Sequence, residues 1–351
     1  MKNFWMLKKT LTRMLVVSAA FTMFIGLPLQ TVSADTIEWR MNSVWVPSRL
    51  EAKAMDLFAS RINEKARGRL NVTVYHGGSL GLKDVDVLRL LPGGAAEMWV
   101  IFPSILGRDA PQIANVYPTG SILRADEHPQ VIPILEEIYT DFFTDAGVQV
   151  VGFHHSGAFP LAIFCKEPAK SFADLKGRNL RVFNKEVMTS FNSLGASAQV
   201  IPQNELYVAL NTGVVDCALY AYSSGKTISI QEVTHYGSDF VPYASVPNVI
   251  LANQDAWDAL PADLRAVVSE AAGFIGGWSL AQDTQVLQDE IAREFVENHG
   301  FTVLEGFSDE DRQAFRKAAL DTWYKLAVKG GPETVNNANR LMKKLGLTPP
   351  E

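Results

Sequence analysis

NLRVFNKEVMTSFNSLGASAQVIPQNELYVALNTGVVDCALY, residues 179–220, decides the fold. Three short apolar runs, NLRVF, AQVI and VVDCALY, have the length of buried strands. KEVMTSFNSLG and QNELYVALNTG lie between them and read as helices, each ending in a glycine, Gly195 or Gly213, that stops it. Strand and helix in alternation mean parallel strands joined by right-handed crossovers, an α/β sheet. Arg181 sits among Leu180, Val182 and Phe183 in this sheet. There it is either a solvated side chain on a half-exposed strand or a permanent positive charge aimed at something negative. Strand alternation alone leaves both readings open.

The same rhythm extends upstream. IEWRMNSVW reads as a strand and PSRLEAKAMDLFASRINEKARG as a helix, with Ser48 and Glu51 spaced as a capping box and Leu50, Ala54, Leu57, Phe58 and Ile62 at helical spacing. LNVTVY alternates as a strand, GGSLGL is a turn, KDVDVLRLL a helix and AEMWVIF another strand. PQVIPILEEIYTDFFTDAG predicts a helix opened by Pro129, and VQVVGF and LAIFCKEP are extended on either side of the loop HHSGAFP. Downstream, NVILANQ is a last extended run, and the chain then becomes almost wholly helical. Ala262 to Asn298 predicts one long helix begun by Pro261 and interrupted or bent near Gly273, Gly276 and Gly277. DEDRQAFRKAALDTWYKLAVKGG and PETVNNANRLMKKLG supply two more helices.

Residues 1–34 read as a secretory signal. Lys2, Lys8, Lys9 and Arg13 precede a mostly apolar run from Met14 to Leu29, and Val32-Ser33-Ala34 offers small residues for cleavage. An uncleaved anchor fits less well, because the run contains Pro28 and is short against the ~20 residues of a membrane span. Cleavage takes away four positive charges and no negative one, so the formal net charge of -6 becomes -10. That balance argues against nucleic acid and anionic lipid as partners. The expectation is a soluble exported protein, in the periplasm of a cell with two membranes. A chain of this length makes about two domains, each with its own core. Cys165 and Cys217 are either a disulfide pair or two small buried hydrophobes, since each lies in an apolar strand-like run.

Catalytic signatures are poorly represented. SSGKT, Ser223 to Thr227, ends like a P-loop but has Tyr220 where the first glycine belongs, and reads as a polar turn. GGSLG has the spacing G-x-S-x-G but reads as no nucleophile elbow, and no strand-borne G-x-G-x-x-G occurs. GGSLG, at Gly77 to Gly81, either seats an anion on backbone amides or is only a turn. The histidines are scattered apart from His154 and His155, and neighbours on an extended chain point to opposite sides, so no metal site and no cofactor is expected. One of that pair, taken as His155, is expected to line the cleft between the domains, where ligands of such sheets bind.

Lys176-Gly177-Arg178-Asn179-Leu180-Arg181-Val182, then Leu194-Gly195-Ala196, Pro202, Glu205-Leu206-Tyr207, Ala209-Leu210 and Gly213-Val214-Val215-Asp216, follow the order of the central motif of DctP-type solute-binding proteins. Gly68-Arg69-Leu70 followed by Gly77-Gly78-Ser79-Leu80-Gly81 is similar to that family's first-domain signature, and Trp257, Leu260 and Pro261 to its element before the long helix. The chain thus resembles the extracytoplasmic subunits of TRAP transporters (tripartite ATP-independent periplasmic transporters) from about Trp39 to Tyr324. The resemblance implies a two-domain α/β periplasmic binding protein, type II-like, that closes on its ligand. Residues 35–157 with about 248–260 would form domain one, and 158–247 domain two. A long helix over 261–300 would span both, and C-terminal helices over 301–351 would pack on them. It also implies delivery of ligand to small and large integral-membrane subunits, and a monomer without enzyme activity is expected. A ligand-presenting sensor and an enzyme on the same plan are the competing functions.

In such proteins the arginine matching Arg181 forms a salt bridge with a ligand carboxylate. This chain departs from the family after Asp216, where Cys217-Ala218-Leu219-Tyr220 lacks the asparagine of sugar-acid binders. Leu219 replaces the glutamate of a cation-assisted keto-acid branch, and Tyr220 keeps an aromatic ring beside it. One hydrogen bond to a charged group contributes about 1.5 to 3 kcal/mol, against roughly 8 kcal/mol for micromolar affinity. Apolar surfaces must supply the rest, and Trp45, Trp99, Phe183 and Tyr220 are the aromatic candidates, with Asn184 and Asn248 as polar ones. The expected ligand has one carboxylate and an apolar or aromatic body.

Overall fold

The computed structural model describes residues 35–349 except 115, 244, 245 and 283; the expected signal segment, 1–34, lies outside the described residues. The first part of the chain forms β1 (Ile37–Asn42), α1 (Leu50–Ala66), β2 (Leu70–Tyr75), α2 (Val87–Leu90), β3 (Met98–Ile101), α3 (Pro111–Ala114), α4 (Ile132–Asp145) and β4 (Val148–His154). It continues through β5 (Phe159–Cys165), β6 (Asn179–Val182), α5 (Lys185–Ser193), β7 (Ser197–Val200), α6 (Gln203–Thr212), β8 (Cys217–Tyr220), α7 (Tyr222–Lys226) and β9 (Tyr236–Tyr243). β10 (Asn248–Asn253), α8 (Gln254–Ala259), α9 (Ala262–Leu280), α10 (Gln285–His299), β11 (Thr302–Leu304), α11 (Asp309–Gly330) and α12 (Pro332–Lys344) follow.

Two sheets result, ordered β2-β1-β3-β10-β4 and β11-β9-β5-β8-β6-β7. The crossovers expected of residues 179–220 are present: β6 pairs in parallel with β7 and β8. The sheets are nevertheless mixed. β10 runs antiparallel to β3 and β4, and β5 runs antiparallel to β8 and β9. The physical reason is the route of the chain, which leaves the first sheet after β4 and returns to it after β9. A strand entering from the other sheet enters at the end that faces it, and so runs against neighbours reached by helical crossovers. β9 escapes a pattern reading because Gly237, Asp239 and Pro242 break its alternation.

Alternation places a core on each face of each sheet. Met98 and Val100 of β3 join Phe58, Ile62 and Ile275 on one side, while Trp99 and Ile101 join Leu135, Phe143 and Trp323 on the other. In the second sheet Cys217 and Leu219 pack with Leu180, Phe191 and Phe315, and Ala218 and Tyr220 with Leu206 and Phe295. Cys165 and Cys217 are register partners on β5 and β8, with Cα atoms 4.1 Å apart, and form a disulfide. No helix among the described residues is long and apolar enough to cross a membrane.

Several local expectations are corrected. The helix expected over 261–300 is two: α9 runs unbroken past Gly273, Gly276 and Gly277, and the chain turns after Ala281 before Thr284 caps α10 through the Leu287 N–H. Gly276 serves close packing instead of a bend, whereas Gly273 and Gly277 border open space. A Cβ on Gly276 would stand 3.4 Å from the Phe153 carbonyl oxygen, and one on Gly152 would stand 2.7 Å from the Ala272 Cβ. α9 packs on the first sheet through Val268 and Ile275, α10 on the second through Ile291 and Phe295. Continuity between the cores comes from α11, which puts Phe315 and Ala319 in one and Trp323 and Ala327 in the other. The Ser48–Glu51 capping box does not form, because Arg49 is the N-cap residue and engages Glu51. Pro129 lies in a 3-10 turn, Ala125–Gln130, and α4 opens later with Pro133 in its first turn, where a missing N–H costs nothing.

Glu186, in the first turn of α5, is 7% exposed with no hydrogen-bond partner on Oε1, and burial pushes its carboxyl up to about 8. The fold therefore prefers the protonated acid. This contribution to stability is full below the ordinary value of 4.5 and is lost as pH rises through about 8. Glu186→Gln should accordingly stabilise the protein by about 1–3 kcal/mol at about pH 9 and by almost nothing near pH 4. Thermal unfolding of both proteins at the two pH values checks this, and equal Tm at the higher pH contradicts it.

Candidate functional site

β6 turns Leu180 and Val182 into one core, so Arg181 points to the opposite face beside Ala218, its register partner on β8. The side chain is 2% exposed. Its Nε donates to the Ile201 carbonyl at 2.9 Å and its Nη1 to the Leu219 carbonyl at 3.2 Å. The guanidinium carbon stands 5.1 Å from the centre of the Tyr220 ring. Among the described residues no carboxylate forms an ion pair with it. Burial pulls the guanidinium pKa down to about 10, Tyr220 opposes this, and the nearby charge of Arg49 adds to it. Two carbonyls and a ring orient this cation, but they do not neutralise it.

Arg49 reaches the same place from the first sheet's side. Its Nε and Nη2 fork onto the Glu51 carboxylate, with 2.9 Å from Nε to Oε2. Its Nη1 donates to Gln203 Oε1 at 2.9 Å, to Ser224 Oγ at 3.2 Å and to the Tyr220 hydroxyl at 3.4 Å. A side chain on the N-cap of α1 is thus fastened to α6, α7 and the end of β8. Burial works against the charge of Glu51, but the Coulombic and hydrogen-bonding pull of Arg49 outweighs it, and the carboxyl is held below its ordinary range. Tyr220 is buried, and burial raises its hydroxyl pKa against the pull of both arginines.

His154 closes the group at the end of β4. It is buried, and burial lowers its pKa to about 4 although Glu51 acts to raise it, so the imidazole is neutral at physiological pH. Its Nδ1 accepts from the Asn248 amide at 3.1 Å, and Asn248 Oδ1 is a buried acceptor with no partner. The cluster therefore gathers two guanidiniums, one carboxylate, a phenol, a neutral imidazole and polar amides at facing strand ends. Such a group can hold an anion and discriminate its charge.

Of the sequence candidates, Arg181 and Tyr220 meet in this cluster, and Asn248 joins through His154. The others lie elsewhere. His155 is turned the other way, pairing its Nε2 with Glu136 at 3.0 Å, while its backbone N–H donates to Ser279 Oγ at 3.0 Å. Strand geometry separates the two rings, and it is His154 that faces Glu51. Trp99 is fully buried, and its indole N–H is taken by Asp84 at 2.8 Å. The Asn184 side chain caps α5, accepting the Val187 N–H at 2.8 Å. Phe183 packs edge-on against Tyr243, with ring centres 5.8 Å apart. Trp45 packs partly buried against the first core, and its carbonyl accepts the Gly77 N–H at 2.9 Å. The N–H groups of Gly78, Ser79 and Gly81 are likewise taken, by the carbonyls of Ser43, His76 and Gly78.

Arg49, Glu51, His154, Gln203 and Ser224 are missing from the sequence-based candidates. One signal pointed to Arg49: a cation at a helix N-terminus opposes the helix dipole, so its placement there calls for another partner. Ser224 belongs to SSGKT, which forms α7 and the turn after it.

Comparison with known proteins agrees with this architecture. A solute-binding protein of Sulfitobacter sp. (strain NAS-14.1) is 25% identical over 290 residues, covering 80% of this chain and 84% of the relative. The C4-dicarboxylate-binding periplasmic protein DctP of Rhodobacter capsulatus is 24% identical over 349 residues, covering 94% of this chain and 97% of its own. Among solved structures, an extracytoplasmic solute receptor of Bordetella pertussis that binds pyroglutamic acid superposes with a TM-score of 0.74 at 20% identity, covering 89% of this chain and all of that one. That likeness establishes the two-domain binding-protein fold. Residues 41–329 match the profile of the DctP family, and the chain belongs to it: it is a bacterial extracellular solute-binding protein of family 7.

Proposed function

We propose that this protein captures a small organic acid with one carboxylate and an apolar or aromatic body, closing its two lobes on it. Arg181 holds the carboxylate, and Tyr220 covers the ligand body. The observation that carries this reading is the burial of Arg181 without an acidic partner among the described residues. A buried cation is costly unless paired, so the fold keeps a charge whose compensation is to come from outside. The lobes are residues 35–157 with about 248–260, and 158–247. After removal of residues 1–34 the protein works in the periplasm as a monomer and delivers its ligand to the small and large membrane subunits of a TRAP transporter.

Mass spectrometry of material retained by the purified protein tests the reading directly, and a monocarboxylic acid is expected. A thermal-shift panel of arylacetates, short keto acids, hydroxy acids and a highly hydroxylated sugar acid complements it. Arylacetates and short acids should raise Tm most. A larger shift with the sugar acid would overturn the apolar-body assignment.

A further inference from the structure

We infer that Glu51 sets how many carboxylates the cleft accepts: by pairing with Arg49 it leaves Arg181 as the uncompensated cation of the cluster, so the site takes monocarboxylates and rejects dicarboxylates. This rests on the carboxylate reading of Arg181 given above.

Arg49 and Arg181 flank one ring, Arg181 lying over the face of Tyr220 at 5.1 Å and Arg49 reaching its hydroxyl at 3.4 Å. Two cations placed so close would both demand an anion. Glu51 answers one of them within the protein: its two oxygens take the fork of Arg49, and both side chains are sheltered, 14% and 15% exposed. Arg49 Nη1 is committed to Gln203, Ser224 and Tyr220, so Arg49 fastens the lobes and has little left for a ligand. His154 adds no charge, being neutral and hydrogen-bonded to Asn248. One ligand carboxylate balances Arg181. A second would leave three carboxylates, Glu51 among them, to share the two guanidiniums of Arg49 and Arg181, and the unmatched negative charge disfavours it. Glu51→Gln removes the carboxylate that answers Arg49 and so raises the cluster's charge by one.

Calorimetric titration with matched probes tests the inference: phenylacetate against phenylmalonate, and malonamate against malonate, each pair differing by one charge. The wild type should prefer the singly charged member by about tenfold or more. Glu51→Gln should shrink or invert that ratio by about tenfold. Glu51→Asp, which keeps the charge, should keep the wild-type order. Arg49→Gln/Glu51→Gln, which removes both members of the pair, should return toward it. An unchanged ratio in Glu51→Gln overturns the inference, as does a double variant that behaves like Glu51→Gln. A wild-type preference for the dicarboxylates overturns it whatever the variants do, folded or not. Arg181→Ala, measured alongside, separates the two levels. If it binds both members like the wild type, or if the wild type binds no probe, the carboxylate reading itself falls. If it loses both while Glu51→Gln keeps the wild-type ratio, only the role of Glu51 falls.

Discussion

Arg181→Ala should lower carboxylate affinity by roughly two to three decades, because leaving a buried charge without its partner costs on the order of 3 to 5 kcal/mol. The ligand-free protein should respond differently. Alanine removes a buried cation that has no acidic partner among the described residues, while freeing only the Ile201 and Leu219 carbonyls, so ligand-free Tm should move little. Ligand-induced stabilisation should vanish. Calorimetric titration together with thermal unfolding, with and without the retained acid, reads both effects. Parental affinity in Arg181→Ala would show that the carboxylate lies elsewhere. Arg181→Lys should also bind weakly, since one ammonium cannot hold two carbonyls and present a flat fork to an anion.

Trp323→Ala should cost about 3–5 kcal/mol of global stability, the range for deleting a large buried aromatic. Trp323 is 1% exposed in the core of the first sheet, and the same helix, α11, inserts Phe315 into the core of the second. The loss should therefore appear as one cooperative shift in the urea midpoint, with an unchanged slope, not as a separate early transition. A loss below about 1 kcal/mol would mean that α11 does not tie the two cores together. Ligand affinity of the folded variant should stay near parental, because Trp323 packs with Leu135 and Phe143, whereas Arg181 meets Ile201, Leu219 and Tyr220.

The β6–α5–β7–α6–β8 unit is legible in sequence because each element repeats its own period and the helices stop at Gly195 and Gly213, the latter a left-handed C-cap at φ 78°. Arg181 is legible as an anomaly for the same reason: a cation interrupts an apolar strand. Trp99 is not, since an aromatic in a buried strand looks alike whether it faces a cleft or, as here, a core aspartate. His154 and His155 show the limit of alternation, which separates two rings without saying which one faces Glu51. The Ser48–Glu51 spacing suggested a cap, yet the side chain between them, Arg49, had a stronger claim on Glu51.

The amino-acid sequence by itself determined the crossover unit, the family motif, the helical end of the chain and a lone arginine in a strand. Those features depend on contacts within a few residues or one turn, which local periodicity encodes. Only the tertiary structure decided the antiparallel entry of β5 and β10, the break between α9 and α10, the disulfide, and the clasp of Arg49 on Gln203, 154 residues away. Each of these depends on which strand ends meet across two sheets. That meeting is set by the summed burial of several cores, so the charge count of the cluster emerges only when distant arginines and one glutamate are brought to the same tyrosine.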